Sequence, residues 1–178
     1  ADLYTWDANN AQDILELRGD PDVAQNTLSD FTLLDSEQLQ TKIALITEKL
    51  RTCKRPVILG GTGVHLSGME KEFLTNKKKL GVPLVGGWNA YDLVPNAHPC
   101  YAGRPGTVGD RPGNFTVQNA DFLLTLGCRL NIRQISYNWG AFAQRAWKAQ
   151  VDVDSAELAK PTLNNDLAVQ ADLRLFLP

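Results

Sequence analysis

The chain has 178 residues, of which 43% are hydrophobic and 21% charged, and this composition suits one globular domain with an appended arm. Its formal net charge of −2 argues against nucleic-acid binding, which needs a concentrated basic surface. No apolar stretch is long enough for a membrane-spanning helix, so we expect no membrane partner. The three cysteines, Cys53, Cys100 and Cys128, form no CxxC or Cys/His zinc pattern, which favours free thiols and a cytoplasmic location.

The first 34 residues lack a sustained hydrophobic period and are rich in Asp and Asn. A short helix is predicted at Ala11–Leu17, and the remainder of this segment is predicted to be irregular. A compact domain seldom opens with such a long irregular segment. We therefore interpret residues 1–34 as a linker arriving from a preceding domain, and residues 35–178 as the folded domain.

Helical periodicity begins in the stretch DSEQLQTKIALITEKL, where Asp35 or Ser36 can cap the first turn. Four apolar residues recur there at helical spacing. They are Leu39, Ile43, Ile46 and Leu50. We predict an amphipathic helix that ends near residues 51–54, before Pro56, which cannot continue it.

Short apolar runs alternate with helical segments through the rest of the chain. The predicted strands lie in residues 57–59, 82–87, 120–127, 151–153 and 166–173. Helices are predicted near residues 67–80 and 113–120, with a long loop at 88–112 and a helical turn after Asp154. This alternation predicts an α/β fold with a doubly wound, mostly parallel, Rossmann-like sheet of about five to six strands flanked by helices.

A glycine loop formed by Gly60, Gly61, Thr62 and Gly63 follows the first strand. It supplies a GxG element, but Leu66 occupies the position where the dinucleotide fingerprint requires its last glycine, and no GK[ST] follows. Two interpretations stay open. Backbone N–H groups in this loop could approach a pyrophosphate, or the glycines could only form a tight strand-to-helix turn.

Polar residues also follow later strands, at the sheet edge where open α/β folds bind ligands. Gly127 and Arg129 follow the third strand, and Asp152 and Asp154 end the fourth. Arginine can pair with phosphate, and aspartate can accept hydrogen bonds from ribose hydroxyls. Together these residues predict a nucleotide-shaped crevice, although glycines and caps also end strands in structural roles.

No catalytic group or metal-ligand set stands out. His65 and His98 are the only histidines, and we interpret both as structural or surface residues. The Gly- and Pro-rich loop contains Arg104 and Arg111, which are candidate anion ligands or parts of a structured domain contact. Because no nucleophile elbow, HExxH or kinase motif appears, the residues indicate a binding or structural module.

Three stretches resemble the central domain of thiamine-diphosphate-dependent enzymes, and most closely the acetolactate synthase-like group. They are RPVILGGTGVHLSG, LGVPLVGGWNAYDLVPNAHPCYAGRPGTVGDRPGNFTVQNADFLLTLGCRLNIRQ and VDVDSAELAKPTLNNDLAVQADLRLFL. The resemblance runs from about Asp35 to the end of the chain. Its most specific part is Asn119–Gln134.

The resemblance implies a parent enzyme of three domains that acts on 2-oxo acids as a homodimer or homotetramer. Thiamine diphosphate and Mg²⁺ would bind to the other two domains, so this chain alone would be inactive. In flavin-containing members the central domain holds FAD across its strand ends, and in others it holds an adenine nucleotide or nothing. The matching positions here are the Gly60–Gly63 loop, the Gly103–Gly106 turn, which includes Arg104, Gly127–Arg129 and Asp152–Asp154.

This sequence departs from the flavin pattern at two places. The expected Gly-x-His-Gly element is replaced by GRPG at Gly103–Gly106, and no Asp-Asp-Arg follows Arg129. The residues also permit two other functions, a stand-alone FAD- or NAD-type nucleotide-binding module and an interaction scaffold with a vestigial pocket. The central-domain interpretation explains the missing catalytic groups best.

Overall fold

A computed structural model of the protein describes residues 35–178, so the predicted arm and its helix at Ala11–Leu17 lie outside the described residues. The strands are β1 (Pro56–Gly60), β2 (Leu84–Gly86), β3 (Phe122–Leu126), β4 (Trp147–Asp152) and β5 (Leu167–Gln170). The helices are α1 (Ser36–Thr52), α2 (Thr62–Ser67), α3 (Glu70–Leu80), α4 (Arg111–Gln118), α5 (Ile132–Ile135), α6 (Ser155–Ala159) and α7 (Leu173–Phe176), with a 3₁₀ turn at Trp139–Ala141. Among the described residues no helix is both long and apolar enough to cross a membrane.

The five strands form one sheet in the order β2-β1-β3-β4-β5, and every neighbouring pair is parallel. The predicted doubly wound α/β fold is therefore confirmed, with five strands. The chain moves outward from β1 to β2 and then returns past β1 to β3. This reversal makes a topological switch point between β1 and β3, where ligands bind in folds of this strand order.

The core divides into two layers because successive side chains of a strand point to opposite faces of the sheet. Ile58 and Leu124 belong to the layer that contains buried residues of α1, α3 and α7. Leu59 and Leu123 belong to the opposite layer, which contains Val117 of α4. The central strands are buried on both faces, which explains why they appear in the sequence as continuous apolar runs.

The first predicted helix is confirmed in its cap and its length. Asp35 accepts a hydrogen bond of 2.8 Å from the backbone N–H of Gln38, and α1 ends at Thr52. The predicted start of the next helix near Ser67 is wrong, because α2 begins at Thr62 directly after β1. Gly68 ends α2 in the left-handed conformation (φ 69°), so a separate helix, α3, begins at Glu70.

The fourth strand is twice as long as the predicted segment 151–153 and begins at Trp147. Polar residues in its first half concealed it from sequence analysis. Gln150 is buried, and its amide is satisfied by the carbonyl of Cys128 at 3.1 Å and by the Asn165 amide at 2.7 Å. The helix α5 and the 3₁₀ turn were not predicted, since both are shorter than the period that identifies a helix.

Candidate functional site

A cavity of about 330 Å³ lies at the carboxyl ends of β1, β3, β4 and β5. The lining residues lie at or just beyond the ends of these strands, and some of them belong to α2, α6 and α7. The lining residues are Thr62, Gly63, Leu66, Ser67, Gly127, Arg129, Asp152, Val153, Asp154, Glu157, Ala171, Asp172, Leu173 and Arg174. The site therefore occupies the sheet edge at which open α/β folds bind ligands.

The glycine loop forms one end of this cavity and makes close backbone contacts with the end of β3. Gly61 donates to the carbonyl of Leu126 at 2.9 Å, and Gly63 donates to the carbonyl of Gly127 at 2.8 Å. A Cβ atom on Gly63 would lie 2.6 Å from the Cα of Gly127. These two N–H groups are thus already engaged, and the glycines allow α2 to pack directly against β3.

Both arginines of the cavity are paired with carboxylates of the same cavity. Arg129 contacts Glu157 with Nε at 2.7 Å and a terminal nitrogen at 2.5 Å from one carboxylate oxygen. Burial acts to raise the pKa of Glu157, but hydrogen bonds from Lys160 and Arg129 lower it below its usual value. Arg174 pairs in the same way with Asp172, and this hydrogen bonding lowers the pKa of Asp172.

The two aspartates that end β4 have different environments. Asp152 is buried, and this burial raises its pKa, while its Oδ1 accepts a hydrogen bond of 3.1 Å from the N–H of Asp154. Asp154 caps α6, because its Oδ1 accepts from the N–H of Ala156 at 2.8 Å. Each carboxylate has one oxygen engaged in this way, and the other could accept a hydrogen bond from a ligand hydroxyl.

Four carboxylates and two guanidinium groups line the cavity, beside the apolar side chains of Leu66, Val153 and Leu173. This arrangement is suited to a group that is partly apolar and carries hydroxyl donors, such as a nucleoside. It offers less to a phosphate, because both arginines and two glycine-loop N–H groups already have partners.

Comparison with known proteins decides the family. The sequence model of the family described as thiamine pyrophosphate enzyme, central domain, matches residues 43–178. The chain belongs to this family. The central domain of a thiamine diphosphate enzyme was also the assignment that the sequence motifs favoured, and the match confirms it.

Individual relatives agree with this assignment. The central domain is 32% identical over 146 residues to a probable acetolactate synthase large subunit from Methanococcus aeolicus, covering 82% of this chain and 23% of that protein. It is 33% identical to the acetolactate synthase large subunit of Lactococcus lactis, covering 79% and 24%. It is 32% identical to the pyruvate oxidase of Lactiplantibacillus plantarum, covering 76% and 21%. The chain thus spans less than a quarter of the length of these relatives.

Six of the ten residues predicted for the site line the central-domain cavity. They are Thr62, Gly63, Gly127, Arg129, Asp152 and Asp154. Gly60 and Gly61 lie beside the cavity and are enclosed by protein. A Cβ atom on Gly60 would contact Phe73 and Leu93, and a Cβ atom on Gly61 would contact the backbone of Gly127.

Gly103 and Arg104 are not among the lining residues of the cavity. The Arg104 guanidinium donates to the carbonyl of Tyr91 at 2.9 Å and to Asn96 at 2.8 Å, and it lies 5.1 Å from the centre of the Tyr101 ring. Its backbone N–H donates to Asp110. Arg104 therefore holds the long loop between β2 and α4 together.

Sequence reasoning missed several residues of the cavity, above all Asp172, Arg174 and Glu157. Asp172 and Arg174 come directly after β5, so the strand-end argument would have found them had the last strand been ended at Gln170. Glu157 had no comparable signal, because its position depends on the angle at which α6 leaves β4. Among the described residues, no group of three or more His, Cys, Asp or Glu could hold a metal ion.

Proposed function

We propose that this central domain is part of a larger enzyme that uses thiamine diphosphate and Mg²⁺ to transform 2-oxo acids, as an acetolactate synthase or a related decarboxylase does. The observation that carries the proposal is the similarity to acetolactate synthase large subunits and pyruvate oxidase along four-fifths of the chain. Thiamine diphosphate and the metal ion would bind to the other domains, and the parent would be a homodimer or homotetramer. The three free thiols are consistent with a cytoplasmic location.

The second part of the proposal concerns the cavity at the strand ends, which we propose as the binding site of FAD or another adenine nucleotide. The carboxylates of Asp152 and Asp154 would accept from ribose hydroxyls, and Leu66, Val153 and Leu173 would contact the base. The cavity residues fit the adenosine half of such a ligand better than its phosphates. Bound FAD would supply redox chemistry, whereas bound ADP would only stabilise the domain.

Within this proposal the domain contributes no group to bond making or breaking. Its residues would hold the nucleotide, keep α2 packed against β3, and present loops to neighbouring domains. Gly61 and Gly63 keep α2 packed against β3, because their N–H groups donate to the carbonyls of Leu126 and Gly127. The glycine loop is then a packing junction that forms the cavity wall.

The test is turnover by the full-length protein that contains this chain. We expect consumption of pyruvate with added thiamine diphosphate and Mg²⁺. Removal of either by dialysis against a chelator should abolish this activity, and adding it back should restore the activity. Analysis of the acid-released cofactor by absorbance and mass would identify FAD or ADP. Absence of turnover with a panel of 2-oxo acids would contradict the proposed reaction. A preparation free of any nucleotide would contradict the proposed nucleotide-binding site.

A further inference from the structure

A second cavity, of about 300 Å³, lies at the opposite edge of the sheet, where β4 and β5 begin. We call it the amino-edge cavity. Lys148, the second residue of β4, lines it, whereas Asp152, the last residue of β4, lines the cavity at the strand ends. A strand rises about 3.3 Å per residue, so these two positions lie about 13 Å apart. The two cavities share no lining residue and are separate sites.

The buried part of the amino-edge cavity is apolar. Phe142 and Leu163 line it and are only 5% and 7% exposed. Both belong to the core layer that contains Val117 of α4. The indole of Trp139, which is 41% exposed, adds an apolar surface nearer to solvent. A ligand that enters the cavity therefore meets hydrocarbon and aromatic surface over its inner part.

The polar side chains of this cavity include a cation and no anion. They belong to Gln144, Lys148, Thr162 and Asn164, and none of the lining residues is Asp or Glu. Lys148 is half-buried, and no carboxylate of residues 35–178 forms an ion pair with it. Its ammonium donates to the carbonyl of Ala146 at 3.2 Å. An ammonium group has three donors, so two of them are left for a ligand.

Hydrogen bonds fix the backbone around the cavity. The N–H of Lys148 donates to the carboxylate of Asp166 at 2.8 Å, and the N–H of Asp166 donates back to the carbonyl of Lys148 at 2.9 Å. The carboxylate of Asp166 is thus held by the backbone of Lys148 and not by its ammonium. On the other side, the N–H of Phe142 donates to the carbonyl of Trp139 at 3.2 Å and closes the 3₁₀ turn. The cavity is preformed, which lowers the entropic cost of binding.

These features restrict the chemistry of a ligand. A cationic ligand would face Lys148 without a carboxylate in the lining to compensate it. Inorganic phosphate would leave the apolar inner surface without a partner. A volume of about 300 Å³ lies at the lower end of the range of ligand cavities, so the ligand is small. A carboxylate with an apolar body fits, because the amides of Gln144 and Asn164 can donate to it beside the ammonium.

We propose that the amino-edge cavity binds a small organic carboxylate with an apolar body. Its carboxylate pairs with the Lys148 ammonium, and its body contacts Phe142, Leu163 and the indole of Trp139. The proposal does not depend on the reaction of the parent enzyme, because no residue of this cavity is assigned to thiamine diphosphate, to the metal ion or to a nucleotide.

The first test is photolabelling of the full-length protein with 4-azidobenzoate, followed by peptide mapping. We expect the label in peptides that contain residues 139–144 or 161–164. Excess benzoate should protect these peptides, whereas benzamide, which has nearly the same shape but no charge, should not. Label confined to other peptides, or equal protection by benzoate and benzamide, would overturn the proposal. These two comparisons use the wild-type protein and need no variant to fold.

The second test separates the charge of Lys148 from its packing. Lys148→Met keeps an apolar side chain of similar length, and it should weaken binding of benzoate about tenfold or more through loss of a charged hydrogen bond. Lys148→Arg keeps the cation and should retain most of the affinity. Lys42→Met is the matched control, because the Lys42 ammonium also donates to a backbone carbonyl, that of Ala168 at 2.7 Å, but does not line the cavity. Equal affinities of the two methionine variants would overturn the proposal.

The third test distinguishes a carboxylate with an apolar body from a simple anion. Protection of the labelled peptides by inorganic phosphate should need a concentration at least about tenfold higher than protection by benzoate, since phosphate gains nothing from the apolar surface. Equal potency would reduce the cavity to an unspecific anion site and overturn the proposal. ADP and FAD should leave the labelling unchanged, and displacement of the label by either would show that the two cavities are not separate sites.

Discussion

At the scale of single residues, the glycines beside the cavity have one physical role that the structure makes explicit. A Cβ on Gly63 would lie 2.6 Å from the Cα of Gly127 and 2.9 Å from its carbonyl oxygen. Both neighbours are backbone atoms, so no rotation of a side chain can relieve the contact. The sequence left the choice open between a phosphate-binding loop and a tight turn, and the hydrogen bonds favour the packing role.

The first prediction concerns this packing. Gly63→Ala should destabilise the domain by about 3 kcal/mol, because overpacking forces backbone shifts between α2 and β3. Gly140→Ala is the matched control, since a Cβ there meets nothing within 4 Å. Urea unfolding followed by circular dichroism measures both changes. Equal midpoints for the two variants would show that the junction can relax and that steric closeness is not the reason for the glycine.

The second prediction separates the cap role of Asp154 from its role toward a ligand. Asp154→Ser retains a hydroxyl that can accept from the N–H of Ala156, so the stability of α6 should change by less than about 0.5 kcal/mol. Binding of an adenine nucleotide should weaken roughly tenfold, as loss of one hydrogen bond to a charged acceptor implies. Isothermal calorimetry measures the affinity, and unchanged affinity would contradict a ribose contact.

The matched control for this variant is Asp35→Ser. Asp35 is also an N-cap aspartate, and it accepts from the N–H of Gln38 at 2.8 Å. It is not among the residues that line the cavity. We therefore expect Asp35→Ser to leave nucleotide affinity unchanged.

At the scale of elements, His65 connects two helices and a loop. Its Nδ1 lies 3.0 Å from Glu70 at the start of α3, and its Nε2 lies 3.2 Å from Asp92 in the loop after β2. The hydrogen bond with Glu70 raises the pKa of His65, although burial acts in the opposite direction. Protonated His65 can donate to both carboxylates at once, so the cluster tightens as the imidazole gains its charge.

The third prediction follows from the sign of this shift. A pKa that is higher in the folded state means that stabilisation is fully present below the unfolded-state pKa of about 6.5 and is lost as pH rises through the folded-state value. Its size should not exceed about 1 kcal/mol, because the side chains are partly exposed to solvent. The free energy of unfolding, measured between about pH 5.5 and 8.5, should fall with pH in the wild type and lose this component in His65→Gln. An NMR titration midpoint of His65 below that of free histidine would contradict the argument.

The fourth prediction concerns the loops held by Gln134. Gln134→Ala removes hydrogen bonds to Trp88 and Pro105, and it leaves the half-buried N–H of Trp88 and the buried carbonyl of Pro105 without these partners. The expected cost is about 2–4 kcal/mol of unfolding free energy. Gln118→Ala on the exposed surface of α4 is the control and should cost less than about 0.5 kcal/mol. Hydrogen exchange should accelerate at Trp88 and Thr107 first, and unchanged protection there would refute the role of Gln134 in joining the loops.

At the scale of the whole molecule, the cavity joins the ends of four strands, so a ligand there contacts most of the sheet. Binding to the folded state alone stabilises every element by mass action. The fifth prediction is that FAD or ADP at 100 times its Kd adds about 2.7 kcal/mol of stability and raises Tm by roughly 5–10 °C. Differential scanning fluorimetry measures the shift. No shift with FAD, ADP, ATP or NAD would leave the domain as a scaffold without a nucleotide.

Much of the fold was predictable because hydrophobic periodicity is local. The stripe of Leu39, Ile43 and Ile46 and the N-cap at Asp35 identify α1, and the runs in β1 and β3 identify strands buried on both faces. The beginning of β4 was not predictable, because Lys148 and Gln150 interrupt its apolar pattern. Gln150 becomes acceptable in the core only through Cys128 and Asn165, which are distant in sequence.

The sequence by itself determined the family and the parallel α/β fold, since these follow from motifs and periodicity. It also predicted that residues after the strands form a site. The tertiary structure alone decided which strand-end residues meet and which partners they already have. It placed Gly127 against Gly63 and paired Arg129 with Glu157. It also kept Arg104 out of the cavity, where its side chain forms hydrogen bonds within the loop between β2 and α4. The physical reason is that donors and charges are satisfied by neighbours in space, which a linear pattern does not specify.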